Sequence, residues 1–158
     1  MHNFEQIIGE MPLLLNKLNN SLIFRKDEIG MGHVIVPRMG IYVPHENNRP
    51  IYVGRSNNIK QRLSGHGSQS SDRFSATFAF RLAIKAYEGR FQKSAKGIRR
   101  KDLEKDTNFI IMFREAKTRV AEMGIKAIEI DDQITQTIFE VYAAIKLETL
   151  EFNSFDNH

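Results

Sequence analysis

Two tyrosines, an arginine and a histidine follow one another within residues 42–66, and their side chains suit chemistry on a phosphate group. Tyr42 lies in the apolar run Gly-Ile-Tyr-Val, Tyr52 lies in the run Ile-Tyr-Val-Gly, and Arg62 precedes His66 by four residues. A guanidinium can bind a phosphate through two hydrogen bonds, and a phenol is both a donor and an acceptor. These residue types therefore indicate a site for a phosphate.

The two tyrosine runs are predicted to be the strands of a hairpin. They flank the segment 44–50, which contains two prolines and two asparagines. Such residues between two β-prone runs are typical of a turn. Pairing of the strands would bring the phenols of Tyr42 and Tyr52 close together. Each tyrosine could equally be an ordinary packing residue of a strand.

A short helix is predicted to follow the hairpin, over residues 58–64. Ser56 or Asn57 would cap its first turn, and the glycine at its end would terminate it. Because residues four apart lie on the same side of a helix, Arg62 and His66 are expected to be neighbours. Singly, these two could also be surface residues without a role in a site.

Hydrophobic periodicity predicts the remaining elements. Residues 3–24 form an amphipathic helical stripe that Pro12 either kinks or divides into two pieces. Further helices and strands are predicted over 34–36 (edge strand), 75–88 (helix), 108–122 (helix capped by Thr107), 125–130 (third strand) and 133–147 (helix capped by Asp131 or Asp132). Residues 109–113 could instead be a buried strand.

The last predicted helix carries a candidate carboxylate. Its buried stripe is expected to consist of Ile134, Ile138, Val141 and Ile145, with Glu140 beside it at an edge from which a side chain can reach the sheet. The alternative is a solvent-exposed glutamate of the kind that most helices carry.

Composition limits the classes of protein. The chain has 158 residues, 41% of them hydrophobic, which is enough to fill the core of one domain. It has no cysteine, so disulfides and thiolate metal ligands are excluded, and its five histidines show no spacing typical of a zinc site. No run resembles a signal peptide or a membrane span, so a cytoplasmic protein is expected.

Positive charge is concentrated in one segment. Residues 81–105 contain nine basic and three acidic side chains, a formal charge of +6, whereas the whole chain carries +4. A solvated surface loop would explain such a run. Next to a phosphate site, a surface that binds a polyanion is the better interpretation.

Several motifs taken together resemble the signature of the GIY-YIG nucleases. The run at 40–43 contains the first tripeptide, Tyr-Val-Gly at 52–54 stands for the second, and RSNNIKQRLSGH at 55–66 carries the arginine and the histidine. Downstream, the run QTIFEVYAAIKLETLEFNSF supplies Glu140 and Asn153. The complete ordered set is far more specific than either tripeptide alone.

The resemblance implies a fold as well as an activity. It implies an α/β class with a small three-stranded, mainly antiparallel sheet flanked by helices. One domain over 1–158 would comprise an N-terminal helical extension (1–38) and a nuclease core (39–155) with a basic helical insertion at about 67–124. The chain is more similar to the stand-alone restriction-type members than to repair or homing enzymes.

The resemblance also implies roles for the residues of the hairpin and the helix after it. Tyr42 would be the general base, directly or through a proton relay, and Tyr52 would bind phosphate or orient the water. Arg62 would hold the scissile phosphate, with Arg55 supporting it electrostatically. His66 would help to position or relay protons at Tyr42.

A metal ion and its ligand come from the same resemblance. Glu140 would hold Mg²⁺, with Mn²⁺ as a substitute, and Asn153 would support the site. A single carboxylate with waters suits Mg²⁺, a hard ion that keeps much of its hydration shell.

The expected substrate is DNA, in double-stranded form. Six basic side chains are expected to contact it, namely Arg55, Lys60, Arg81, Lys85, Arg99 and Arg100. A homodimer is expected to cut both strands, with the N-terminal stripe as one candidate interface. The alternatives are a catalytically silent nucleic-acid-binding module with the same fold, and a non-enzymatic scaffold.

Overall fold

The computed structural model describes residues 3–155 of the chain. These residues form two compact units. The first unit contains the described residues up to Gln61 and from Met123 onwards, and the second contains Arg62–Glu122. The assignment of residues 1–158 to one domain stays a prediction.

The first unit is built on an antiparallel sheet. Its described strands are β1 (Phe24–Arg25), β2 (Gly40–Glu46), β3 (Arg49–Pro50), β4 (Gly54–Ser56) and β5 (Gly124–Glu129). The order is β1-β5-β2-β3, with β4 also paired to β2. The α/β class is confirmed. The first and third predicted strands correspond to β2 and β5, whereas the second, predicted over 51–54, shares only Gly54 with β4. Two strands of two residues each, β1 and β3, bring the described sheet to five strands.

The hairpin is confirmed, but its turn is shorter than predicted. β2 continues through Pro44 to Glu46 and pairs with β3, so only Asn47 and Asn48 remain in the turn. Both have positive φ, 51° and 62°, which suits a two-residue hairpin because Asn tolerates this conformation. The predicted turn over 44–50 is therefore wrong except at its centre.

The second arm of the hairpin is interrupted. Residues 51–53 leave the strand, and pairing with β2 resumes at β4, whereas the prediction ended the strand at Gly54. The backbone N–H and carbonyl of Val53 both bond to the side chain of Asn153. These bonds replace sheet pairing at this position.

Seven helices are present among the described residues. They are α1 (Phe4–Asn19), α2 (Lys26–Gly30), α3 (Ile59–His66), α4 (Thr77–Phe91), α5 (Arg100–Leu103), α6 (Thr107–Ala121) and α7 (Gln133–Lys146). None of them is long and apolar enough to cross a membrane.

Three local predictions are wrong. Helix α1 is continuous through Pro12, so the two-helix alternative fails. Residues 34–36 form no strand, and Ile35 is 97% exposed; β1 pairs with β5 instead. Helix α3 is capped by Asn58, whose Oδ1 accepts the N–H of Gln61 at 3.1 Å, and it continues past residue 64 to His66.

The core of the first unit lies between the sheet and helices α1 and α7. Its buried residues are Ile7, Met11, Leu18, Ile41, Val43, Val53, Ile128, Ile130, Phe139, Ala143 and Ala144.

The predicted buried stripe of α7 is wrong. Phe139 and Ala143 are fully buried, whereas Ile134 and Ile145 are 61% and 56% exposed. Both faces of α7 are apolar, so periodicity could not choose between them. The small side chains of Ala143 and Ala144 leave room for the ring of Phe139. Burial of this ring removes a large apolar area from water.

The second unit has an aromatic core between α4 and α6. The ring centroid of Phe80 lies 4.9 Å from that of Phe109 and 5.3 Å from that of Phe113. The alternative strand over 109–113 is thus wrong.

The cap of α6 is Asp106 rather than Thr107, because Asp106 Oδ1 accepts the N–H groups of Asn108 and Phe109 in the first turn.

Candidate active site

Tyr42 lies against the backbone of Gly54 in the first unit. The two residues are directly paired between β2 and β4. A Cβ atom placed on Gly54 would lie 2.3 Å from Cζ and 2.4 Å from the hydroxyl oxygen of Tyr42, closer than atoms can approach. Only glycine therefore leaves room for the phenol, and Tyr42 is 1% exposed. This explains why the second motif ends in glycine.

Tyr52 lies beside Tyr42, as the hairpin prediction implied. The ring centroids are 6.3 Å apart and the ring planes are tilted by 55°. Tyr52 is also buried, at 9% exposure. The structure brings the two phenols together at the point where the second arm of the hairpin leaves the sheet.

Asn153 is bound to the same segment from the C-terminal side. Its Oδ1 accepts the N–H of Val53 at 2.9 Å, and its Nδ2 donates to the carbonyl of Val53 at 2.7 Å. The hydroxyl of Thr149 donates to the same Oδ1 at 2.9 Å and orients the amide. Asn153 is 5% exposed, so these bonds are shielded from water.

Glu140 and Arg55 form an ion pair. Nε of Arg55 donates to Oε2 of Glu140 at 2.9 Å, and the two side chains are 46% and 17% exposed. Glu140 comes from α7 and Arg55 from β4. Among residues 3–155 no cluster of three His, Cys, Asp or Glu side chains could hold a metal ion. The assignment of Glu140 as a metal ligand therefore stays a prediction.

The segment 52–55 is the common point of these contacts. Its four consecutive residues contact, in turn, the ring of Tyr42, the amide of Asn153, the phenol of Tyr42 and the carboxylate of Glu140. The predicted site residues of the first unit therefore meet along one short piece of backbone. Along this segment, Gly54 contacts the phenol of Tyr42, and the next residue, Arg55, binds the carboxylate of Glu140. Phenols, a guanidinium and a carboxylate are side chains that acid–base chemistry on a phosphate can use.

Arg62 and His66 belong to the second unit, on the part of α3 that lies beyond Gln61. Nη2 of Arg62 donates to the hydroxyl of Thr77 at 2.8 Å. His66 is 2% exposed, and its ring meets the ring of Phe78 edge-on, with centroids 6.4 Å apart. The start of α4 therefore orients both side chains.

The expected DNA-contacting side chains of the second unit lie on α4 and at the start of α5. Lys85, Arg99 and Arg100 are exposed and Arg81 is partly exposed. Arg99 pairs with Asp102 at 2.7 Å, and the guanidinium of Arg100 lies 5.5 Å from the centroid of a phenylalanine ring on α4. The unit contains fourteen basic and seven acidic side chains, a formal charge of +7.

The two remaining DNA candidates lie in the first unit. Lys60 is exposed in the first turn of α3, and Arg55 is the partner of Glu140. An arginine that pairs with a carboxylate can still offer its other nitrogens to a phosphate, because the guanidinium carries five donors.

Sequence reasoning missed two supporting residues. Thr77 holds Arg62, and Thr149 orients Asn153. Neither has a motif of its own. The only available signal was that Thr149 precedes Asn153 by one helical turn, a common spacing for a local hydrogen bond.

Comparison with protein families agrees with this geometry. Residues 38–120, more than half of the chain, match the model of the GIY-YIG catalytic domain. The chain therefore belongs to the GIY-YIG nuclease superfamily. The match ends before Glu140 and Asn153, so the assignment of those two residues rests on motif order and on their contacts with segment 52–55. No curated protein and no solved structure matches the chain.

Proposed function

We propose that this protein is a Mg²⁺-dependent endonuclease that hydrolyses phosphodiester bonds of DNA, with a restriction or defence role. The observation that carries the proposal is the meeting of Tyr42, Tyr52, Glu140 and Asn153 along segment 52–55. Glu140 lies 85 residues from Arg55 and Asn153 lies 100 residues from Val53, and a purely structural role for each would not require them to share one segment with the two tyrosines.

The reaction requires a base, a positively charged group and help for the leaving oxygen. Water attacks the phosphorus atom, and the bond from phosphorus to the 3′-oxygen breaks. Tyr42 takes the proton from the water, directly or through a relay. The resemblance to the family, rather than a contact in the structure, assigns the scissile phosphate to Arg62. A free phenol has a pKa of about 10, so the proposal requires that neighbouring cations or a shared proton assist this transfer.

The residues present fit a hydrated Mg²⁺ ion. Glu140 offers a carboxylate that is partly exposed to water, and Mg²⁺ in nucleotide and phosphate sites is commonly held by one or two carboxylates, waters and the substrate. When bound, the ion supplies positive charge to the phosphate and the leaving oxygen. Arg55, on Oε2 of Glu140, fixes the orientation of the carboxylate.

A second candidate is a nucleic-acid-binding module without catalysis. The observation that favours it is the pairing of Arg55 with Glu140, because a guanidinium on the carboxylate competes with a metal ion for the same oxygen. This candidate predicts DNA affinity that falls steeply with salt but no cleavage. A non-enzymatic scaffold, by contrast, predicts no salt-dependent DNA affinity and no cleavage.

Plasmid nicking in Mg²⁺ and in EDTA tests the proposal. The Glu140→Gln variant keeps the shape of the side chain and an acceptor for Arg55, and we expect it to lower the rate on the order of a thousand-fold by removing the anionic ligand. Glu129→Gln, an exposed glutamate on β5, is the matched control and should cleave like the wild type. A wild type that binds DNA but does not cleave it in Mg²⁺ would establish the second candidate.

A homodimer on duplex DNA is part of the proposal, because two active sites can cut both strands in one encounter. Helix α1 is the candidate interface, since Phe4, Ile8 and Leu13 are 64%, 43% and 70% exposed. Light scattering of the protein with a duplex oligonucleotide should give the mass of two chains per duplex. A mass of one chain at saturating protein would contradict this part of the proposal.

A further inference from the structure

Phe74 is an aromatic side chain that the second unit presents to solvent. It is 65% exposed, whereas Phe78, Phe80 and Phe109 of the same unit are fully buried. Phe74 lies in the connection between α3 and α4, where the preceding residues 68–73 are all polar. A single apolar ring in polar surroundings is not a protein-docking patch, which would need a contiguous apolar area.

Hydrogen bonds hold the backbone of Phe74 in a tight turn. Oδ1 of Asp72 accepts the N–H of Phe74 at 3.0 Å and that of Ser75 at 2.9 Å, and the carbonyl of Asp72 accepts the N–H of Ala76 at 2.9 Å. The N–H of Ser75 makes the largest contribution to lowering the pKa of Asp72, so the carboxylate stays ionised as an acceptor. The ring is therefore exposed on an ordered backbone, which reduces the entropy lost on binding.

A cation covers one face of the ring. The guanidinium of Arg73 lies 4.5 Å from the ring centroid of Phe74. Arg73 is itself fixed by Glu104, which pairs with the guanidinium and accepts the backbone N–H of Arg73 at 3.2 Å. Since 65% of Phe74 is exposed, the surface in contact with water is mainly the rim and the face away from Arg73.

The turn is anchored next to Arg62. Thr77, three residues after Phe74, accepts the hydrogen bond from Arg62, and three residues span at most about 11 Å. Gly65 of α3 packs against the same turn, because a Cβ there would lie 3.1 Å from the carbonyl oxygen of Ser75. At a spacing of about 3.4 Å per stacked nucleotide, the ring lies within a few nucleotides of a phosphate bound by Arg62.

We propose that Phe74 stacks on a nucleobase of bound DNA, next to the phosphate that Arg62 holds. This inference rests on the proposed function only for the role of Arg62 and for the choice of DNA. The ring supplies a flat apolar face, the guanidinium of Arg73 covers the opposite face, and the surrounding unit carries a formal charge of +7. Aromatic rings combined with a basic surface are the usual means of binding unpaired bases. The base contacted must therefore be unstacked from its neighbour, at a nick, gap or locally opened step.

The test measures binding and base stacking in EDTA, where cleavage is absent. Single-stranded and gapped oligonucleotides carrying 2-aminopurine at successive positions report stacking as a change in fluorescence. We expect the wild type to change the fluorescence at one or two positions. Phe74→Leu keeps an apolar side chain without an aromatic face, and should weaken binding by about 5- to 100-fold and abolish the fluorescence change. Phe74→Trp should retain both the affinity for the oligonucleotide and the fluorescence change.

Ile111→Ala is the matched control, because Ile111 is a 47% exposed apolar residue of α6 in the same unit and is not among or next to the proposed DNA contacts in sequence. It should bind and stack like the wild type. Circular dichroism and urea unfolding verify that each variant is folded. Wild-type affinity and fluorescence in Phe74→Leu would overturn the inference, and so would an equal loss of affinity in Ile111→Ala.

Plasmid nicking in Mg²⁺ separates this inference from the proposed function. If the wild type nicks the plasmid and Phe74→Leu binds like it, the stacking inference fails and the nuclease proposal stands. If the wild type does not nick but its binding requires the ring, the nuclease proposal fails and stacking stands.

Discussion

The contact between Gly54 and Tyr42 allows the position of the phenol to be changed without altering the phenol itself. In Gly54→Ala the new Cβ would start 2.4 Å from the hydroxyl oxygen of Tyr42, and an ordinary contact needs at least 3.4 Å. Gly54 does not have the positive φ that would strain an alanine. The substitution therefore acts by pushing the phenol away by about 1 Å, the distance that closes this gap.

Gly54→Ala is expected to lower both the folding stability and the nicking rate. Overfilling a packed site costs about 1–3 kcal/mol of folding stability, because Tyr42 is 1% exposed and lies against Tyr52. A displacement of about 1 Å at a catalytic group lowers the rate by about 100-fold. The variant should thus fold, with reduced stability, and nick DNA slowly.

The assay combines urea unfolding with plasmid nicking in Mg²⁺ at a temperature where the variant is fully folded. Gly9→Ala is the control, because Gly9 lies within α1 and no other segment of the described chain comes within 4 Å of the position that a methyl group would take there. An alanine at this position should raise the free energy of unfolding by about 0.5–1 kcal/mol and leave the rate unchanged.

A double-mutant cycle decides whether Gly54→Ala lowers the nicking rate through the hydroxyl of Tyr42. In a Tyr42→Phe background Gly54→Ala should cost little further activity, because the group that it displaces is already absent. A fully folded Gly54→Ala that nicks at the wild-type rate would refute the reasoning. The reasoning would also be refuted if Gly54→Ala lowered the nicking rate by the same factor in the wild type and in the Tyr42→Phe background.

Two further predictions concern stability. Asn153→Ala removes both hydrogen bonds to Val53 in a buried site and should lower the free energy of unfolding by about 2–4 kcal/mol; unchanged urea unfolding would contradict this. For Asp106, the N–H of Phe109 and then the hydroxyl of Tyr87 lower the pKa, so its stabilising effect is present above the unfolded pKa of about 3.9 and is lost as the pH falls through the folded value. Asp106→Asn should therefore melt below the wild type at pH 7, with a smaller difference at pH 3; a difference that grows in acid would refute the assignment.

Local sequence patterns predicted the elements that carry the site. The hairpin followed from two β-prone runs around Asn and Pro, and it brings Tyr42 and Tyr52 together. The strand β5 was predicted within one residue at each end, and Asp132 is one of the two residues predicted as the cap of α7. In each case the determining interactions join residues close in sequence, through turn conformation, capping or alternation.

Tertiary packing decided which face of α7 is buried. The stripe of Ile134 and Ile145 and the stripe of Phe139 and Ala143 both have helical spacing. The choice depends on the shape of the surface that the sheet and α1 present, and no local pattern in α7 contains that shape.

The sequence alone determined the chemical types of the site residues and their order, together with the turn and cap chemistry of the elements that bear them. Only the folded chain decided that Val53 would give its backbone bonds to a side chain 100 residues away, and that Arg55 would pair with a carboxylate 85 residues away. Those contacts join distant segments, so their geometry depends on the packing of the whole unit rather than on neighbouring residues.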